Sequence, residues 1–262
     1  MKIGFIGAGN MGGAIIGGLV ASGKTDAKDI YAYDLDKEKL NILSDKGVNV
    51  NLSTDEICEI CDVVILAVKP QIFPKVLPGI KSNKPIYVSI AAGISIKYMK
   101  DNLPDNSKIV RAMPNTPALI GKGVTVLSPD KGVKEEEVAN VKFIFDCVGI
   151  TEIADEKLMD AVVSASGSSP AYVYMLIEAM ADAAVSQGLP RQMAYNICAA
   201  AVEGSALMVQ KTGKHPGELK DMVCSPGGTT IEAVSSLEAD GFRASIINAM
   251  AKCAEKSKKL TK

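Results

Sequence analysis

Up to about residue 155, short β-branched runs alternate with helical patterns, and this rhythm leaves few folds open to the chain. The runs are KIGFIG (2–7), DIYAYD (29–34), NVNL (49–52), DVVILAV (62–68), PIYVSI (85–90), KIVRAM (108–113), VTVLSP (124–129) and TEIAD (151–155). DVVILAV is apolar nearly throughout, as a strand buried on both faces must be. Strand, helix, strand in this order predicts a parallel sheet with right-handed crossovers.

After about residue 156 the strands stop. A helical pattern over 160–187 is interrupted near Ser168-Ser169-Pro170. Pro190 opens a helix reaching about Lys211, His215-Pro216-Gly217 starts a short one, and the last runs from Phe242. The expected architecture is therefore α/β: a dinucleotide-binding domain over 1–155 and an all-α domain over 156–262. Helices this rich in Ala and Met are expected to pack against a second copy of themselves.

Composition narrows the function classes. With 262 residues there is room for two domains, and 47% hydrophobic residues supply a core. The net charge is −1, aromatics are 5% and Trp is absent, so neither a basic stripe nor stacking rings offer a nucleic-acid surface. No apolar run reaches the ~18 residues of a membrane span. The Gly-rich N-terminus does not read as a signal peptide, and a cytoplasmic protein without a membrane partner is expected. Cys58 and Cys61 form a lone C-x-x-C; with His215 the only histidine, zinc lacks ligands, and the pair reads as two thiols on an ordinary helix or as a redox couple. No metal is expected.

Gly7-Ala8-Gly9-Asn10-Met11-Gly12 follows the first run and opens a helical pattern, which gives G-x-G-x-x-G its meaning. Gly7 permits the tight turn, Gly9 lets a pyrophosphate approach, and Gly12 lets the helix pack on the sheet. The helix N-terminus offers unpaired N–H groups to the phosphates. Asp34 ends the second run, where an acid accepts hydrogen bonds from the adenosine ribose and repels a 2′-phosphate; Lys37 and Lys39 lie nearby. The same Asp is also placed to cap a helix over 35–45. Ala67-Val68-Lys69-Pro70 closes another run, with Lys69 either a cofactor contact or a plain surface lysine. Ala91 and Ala92, with Gly93, leave room for a flat ring.

A dinucleotide domain joined to helices suggests an oxidoreductase, yet a proton donor is missing. No Lys occurs over 160–210, His215 reads as a cap, and Tyr172 and Tyr174 read as core. The absence favours a substrate that arrives already protonated, such as an imine. SPGGTT (225–230) then becomes readable as a carboxylate cradle without formal charge. Gly227 and Gly228 leave backbone N–H groups open, Ser225 adds a hydroxyl, and Thr229 and Thr230 begin a helix. The simpler alternative is an N-cap.

These segments resemble the pyrroline-5-carboxylate reductase family nearly end to end, in FIGAGNMGGAI, LAVKP, RAMPNTP, SGSSPAYVY with EAMADAAVSQGLPR, and VCSPGGTTIEAVSSLEADGFR. The resemblance implies a Rossmann domain and a helical domain interleaved with a partner's into a homodimer, with higher rings in some members. It implies hydride transfer from NAD(P)H to the imine carbon of a small cyclic imino acid, giving proline. Ser225, Gly227 and the backbone of Gly228 and Thr229 would hold the carboxylate, and Thr230 would hydrogen-bond the ring nitrogen. Gly7 to Gly12, Ala67 to Pro70, and Ala91 with Ala92 would line the cofactor. Asn115 would shape the nicotinamide end, and SPGGTT would complete a site on the partner. Many members carry Ser, Thr or Asn-Arg where Asp34 stands, so NADH is expected to serve at least as well as NADPH. A reductase of a six-membered cyclic imino acid, a dinucleotide-binding regulator without catalysis and a β-hydroxyacid dehydrogenase are the other classes considered. The missing lysine disfavours the last.

Overall fold

The computed structural model describes residues 1–261. Seven strands form one sheet: β1 (Ile3–Ile6), β2 (Ile30–Tyr33), β3 (Val63–Leu66), β4 (Ile86–Ser89), β5 (Lys108–Met113), β6 (Gly123–Pro129) and β7 (Gly149–Ile153), ordered β2-β1-β3-β4-β5-β6-β7. Each strand sends alternate residues to opposite faces. Ile3, Phe5, Val63, Ile65, Ile86 and Val88 enter one buried cluster; Ile6, Val64, Leu66 and Tyr87 enter another. The sheet is thus buried on both faces, as the apolar runs require. It has the Rossmann arrangement, with the strand order reversing between β1 and β3.

Two expectations fail here. NVNL (49–52) is not a strand: only Asn49 bridges to Tyr31, and the chain turns on to the next helix. Nor is the sheet wholly parallel, because β6 runs antiparallel to β5. The cause is the connection. Parallel neighbours need a crossover of a dozen or more residues, whereas β5 and β6 are joined only by a tight 3₁₀ turn at Thr116–Ile120. A full helix then returns between β6 and β7, which pair in parallel.

The helices are α1 (Asn10–Ser22), α2 (Lys37–Ser44), α3 (Thr54–Ile60), α4 (Phe73–Val76), α5 (Ile96–Asn102), α6 (Glu135–Asp146), α7 (Met159–Val162), α8 (Ser169–Ser186), α9 (Arg191–Thr212), α10 (Pro216–Val223), α11 (Thr229–Ala239) and α12 (Phe242–Leu260). A π-helical turn, Val163–Gly167, links α7 to α8. It explains the interruption expected near residue 168. Pro170 has no N–H to give the Ser166 carbonyl, so the helix cannot run through regularly.

The chain divides into two compact units. One is Met1–Ser168 with the end of α12 from Cys253; the other is Ser169–Lys252. Within the first unit the end of α12 is held by Ser257 Oγ, which donates to Asp160 Oδ1 at 2.6 Å. The second unit buries very little of its own: its apolar cluster is Ala181, Ala194 and Cys198. Tyr174, Met175, Ile197, Met222 and Ile247 are exposed instead. Tyr174, expected in the core, is 59% exposed, and Tyr172 is half-buried. An apolar helical surface of this kind is what a second chain covers.

Gly93 shows how tightly α12 is seated. It has φ +77°, and a Cβ there would lie 2.7 Å from the Leu260 carbonyl oxygen. Gly23 also has a left-handed φ, +64°, but open space around it. Gly23→Ala should cost roughly 1 kcal/mol, the strain of φ alone. Gly93→Ala should lower the thermal unfolding midpoint distinctly further; equal shifts for the two would show that the α12 contact contributes nothing.

Candidate active site

The glycine-rich turn sits where β1 ends. Gly7 has φ +105°, a conformation that side chains other than hydrogen resist, and its Cβ would lie 2.7 Å from the Ala67 carbonyl oxygen. Gly12 is as constrained: a Cβ would stand 2.5 Å from the Gly7 carbonyl oxygen and 3.1 Å from Ala67 Cβ. Gly9 is different, with nothing within 4 Å of its absent side chain. Two glycines therefore serve packing, and one keeps the approach open.

Gly9 is also the N-cap of α1, and no side chain caps it. The first helical bond runs from Gly13 N–H to the Gly9 carbonyl at 2.7 Å. The N–H groups of Asn10, Met11 and Gly12 consequently have no helical acceptor. An uncapped helix start beneath an open glycine fits a pyrophosphate.

Gly7, Gly9, Asp34, Ala67, Val68 and Lys69 line one cleft of about 530 Å³ at the carboxyl ends of β1, β2 and β3. Ile72, Lys75 and Val76 line it too; only the proline-punctuated PQIFPKV segment hinted at them. Lys39 completes that wall and is paired with Asp36 at 3.0 Å. Ala8 and Asn10 border a second groove along α1, while Met11 packs against the core. Pro70 opens a 3₁₀ turn, Ala91 is buried, and Ala92 is exposed. The small residues at 91–93 do not all leave room for a ring, since the space beside Gly93 is taken by Leu260.

Asp34 does not cap a helix. That role falls to Asp36, which accepts from Glu38 N–H and Lys39 N–H at the start of α2. Asp34 instead accepts from Ala8 N–H at 2.6 Å through Oδ2 and from Asp36 N–H at 2.9 Å through Oδ1.

Asn115 is almost fully buried, and its amide is engaged at both ends. Oδ1 accepts from Val124 N–H at 2.8 Å, and Nδ2 donates to the Ser166 carbonyl at 3.0 Å. Asn115 thus ties the loop after β5 to both β6 and the π-turn.

In the helical unit, Ser225-Pro226-Gly227-Gly228 forms a turn closed by Gly228 N–H to the Ser225 carbonyl at 3.1 Å. Gly227 has φ +66°. A Cβ on Gly228 would come within 2.3 Å of Ser225 Oγ. Gly228 is the N-cap of α11 and no side chain caps it. The N-cap alternative for Ser225 is therefore not what the structure shows: the N–H groups of the first turn stay open, with Ser225 and Thr229 exposed and Thr230 half-buried. His215 is a cap, accepting at Nδ1 from Gly217 N–H at 3.1 Å.

Residues 156–260 match the pyrroline-5-carboxylate reductase dimerisation family, and residues 2–93 match the family described as NADP oxidoreductase, coenzyme F420-dependent. The chain is 54% identical to the pyrroline-5-carboxylate reductase of Escherichia coli (strain K12), across 100% of this chain and 98% of that protein. The chain belongs to the pyrroline-5-carboxylate reductase family. The Arabidopsis thaliana member is 44% identical, across 99% of this chain and 95% of that one. Among solved members, the Plasmodium falciparum pyrroline carboxylate reductase with NADP bound has a TM-score of 0.90 at 34% identity, covering 100% of this chain and 98% of that one. The Streptococcus pyogenes member has a TM-score of 0.88 at 34% identity, covering 99% and 98%.

Family membership leaves the C-x-x-C pair unexplained, and the structure accounts for it. Cys58 lies in α3, Cys61 caps its end, and both are wholly buried. Burial pushes the Cys58 thiol up to about 11 and the Cys61 thiol up to about 12. A redox couple needs an exposed thiol of lowered pKa, so these are packing thiols. At pH 8 a maleimide reagent should label Cys58 and Cys61 only after denaturant is added; labelling in the native enzyme at the rate of an exposed thiol would contradict this burial.

Proposed function

We infer that this chain is a pyrroline-5-carboxylate reductase, an oxidoreductase that reduces 1-pyrroline-5-carboxylate to L-proline in the last step of proline biosynthesis. The observation that carries the reading is the 54% identity along the whole chain to the Escherichia coli enzyme. A reduced nicotinamide, when bound, supplies the hydride. The imine carbon, C2 of the substrate and C5 of proline, accepts it, the π pair of the C=N bond moves to nitrogen, and the product is the secondary amine.

The chain's own residues bind and orient. The open N–H groups around Gly9 to Gly12 hold the pyrophosphate, with Ala67 to Pro70 and Ala91 and Ala92 along the remainder of the dinucleotide. Ser225 Oγ and the open N–H of Thr229 hold the substrate carboxylate, in a turn that Gly227 makes possible and that the Gly228 N–H closes on the Ser225 carbonyl. Thr230 Oγ accepts from the ring N–H and fixes which carbon faces the hydride. We assign Asn115 a positioning role at the nicotinamide end, through its ties to Val124 and Ser166. An imine that is already protonated needs no acid from the protein, which accounts for a substrate turn, Ser225 to Thr230, without Lys or His.

The chain is a homodimer through its helical region, and assembly of dimers into a ring in the cytoplasm belongs to this proposal. NADH is expected to serve at least as well as NADPH, because the Asp34 carboxylate disfavours a 2′-phosphate beside it. A preference for NADPH is the second reading. It rests on Lys69 and Lys75 in the same cleft and on the NADP bound in the Plasmodium falciparum relative.

Purified protein mixed with 1-pyrroline-5-carboxylate should oxidise NADH at least as fast as NADPH; cofactor binding without oxidation of either would overturn the reductase assignment. Thr230→Ala should lower kcat/KM roughly 5- to 150-fold, the loss of about 1–3 kcal/mol of hydrogen bonding in the transition state. An unchanged kcat/KM would reduce Thr230 to a helix residue.

A further inference from the structure

Two successive N–H groups tie the glycine turn to the end of β2. Gly7 N–H donates to the Tyr33 carbonyl at 2.7 Å. Ala8 N–H donates to Asp34 Oδ2 at 2.6 Å. The second bond is the unusual one, since a side chain rather than the backbone accepts it. Ala8 is 5% exposed, so water cannot readily replace a lost acceptor. The carboxylate is itself held in place, because its other oxygen accepts from Asp36 N–H at 2.9 Å.

We propose that Asp34 is a positioning residue that braces the glycine turn in its pyrophosphate-receiving shape before any cofactor arrives, besides facing the adenosine ribose. The inference rests on the dinucleotide reading of the cleft. Gly7 is held in a left-handed conformation that glycine does not favour over others, so the turn needs an external tie to stay there. The brace takes the Ala8 N–H and leaves those of Asn10, Met11 and Gly12 for the ligand. Each carboxylate oxygen keeps a second lone pair, so bracing and ribose binding are compatible. Cofactor choice and loop geometry are then vested in one side chain. A Ser at 34, too short to reach Ala8, would relieve the repulsion of a 2′-phosphate and loosen the turn at once.

Hydrogen exchange of the cofactor-free enzyme tests the brace without reference to activity. In Asp34→Ser and Asp34→Ala, amide exchange in a peptide covering Gly7 to Gly9 should speed up by about tenfold or more. In Asp34→Asn, which keeps an acceptor of the same length, it should stay close to wild type. Should Asp34→Ala loosen the whole sheet, the Ser variant decides. Binding of 2′,3′-dideoxy-NAD⁺, which offers Asp34 no adenosine ribose hydroxyl and no 2′-phosphate, should weaken by about fivefold or more in Asp34→Ser. Unchanged exchange in the Ser variant, or unchanged affinity for this probe, overturns the brace. A wild-type preference for NADPH would overturn only the ribose-selection reading and leave these two results to stand by themselves.

Discussion

Between Gly7 and Ala67 two backbones approach with no room for a side chain, and the first unit is organised around that approach. A single Cβ on Gly7 would press on the Ala67 carbonyl, and one on Gly12 would press on Gly7 itself. Because both positions are glycine, α1 starts directly above the point where β1 and β3 diverge. Close approach leaves the first N–H groups of α1 uncapped and accessible past Gly9. The cleft beside it and its partial positive potential follow from this contact.

The helical unit obeys a different constraint. A sheet buried on both faces satisfies its apolar residues within one chain. Helices α8 to α11 do not, and their buried apolar cluster reduces to Ala181, Ala194 and Cys198. Their exposed Met, Ile and Tyr side chains need a second copy, which is why dimerisation and the helical region are matched by one family model. The same unit presents the Ser225 turn, which the left-handed φ of Gly227 permits and the Gly228 N–H closes, followed by an uncapped α11. The carboxylate cradle proposed there would be built from backbone and hydroxyls, so no charged residue advertises it.

Much of this was legible in advance, for identifiable reasons. Strand and helix periodicity located the seven strands, because apolar residues buried on both sheet faces leave a continuous run. The glycine turn was legible because three glycines at fixed offsets follow a strand-like run and open a helical pattern. The Ser225 turn became readable as a cradle only beside a dinucleotide domain and a missing proton donor; by itself a helix cap was the simpler reading. The misread elements share a cause. NVNL has strand-like residues but only a single bridge to Tyr31, and Tyr174 has a core residue's chemistry but lies on a surface for another chain. Pairing and partnership are not local properties.

The sequence by itself determined the fold class, the family and the two glycine-bearing turns at Gly7 and Gly227, since each is written in residue types at fixed spacing that tolerate few conformations. Tertiary structure decided the rest. It reversed β6, because the short turn after β5 cannot cross over. It turned Asn115 into a clamp between Val124 and the Ser166 carbonyl. It buried the C-x-x-C thiols beyond reactivity, and it joined Asp34 to Ala8. Each of these depends on which distant atoms share a few ångströms of space, and that is set only when the chain closes on itself.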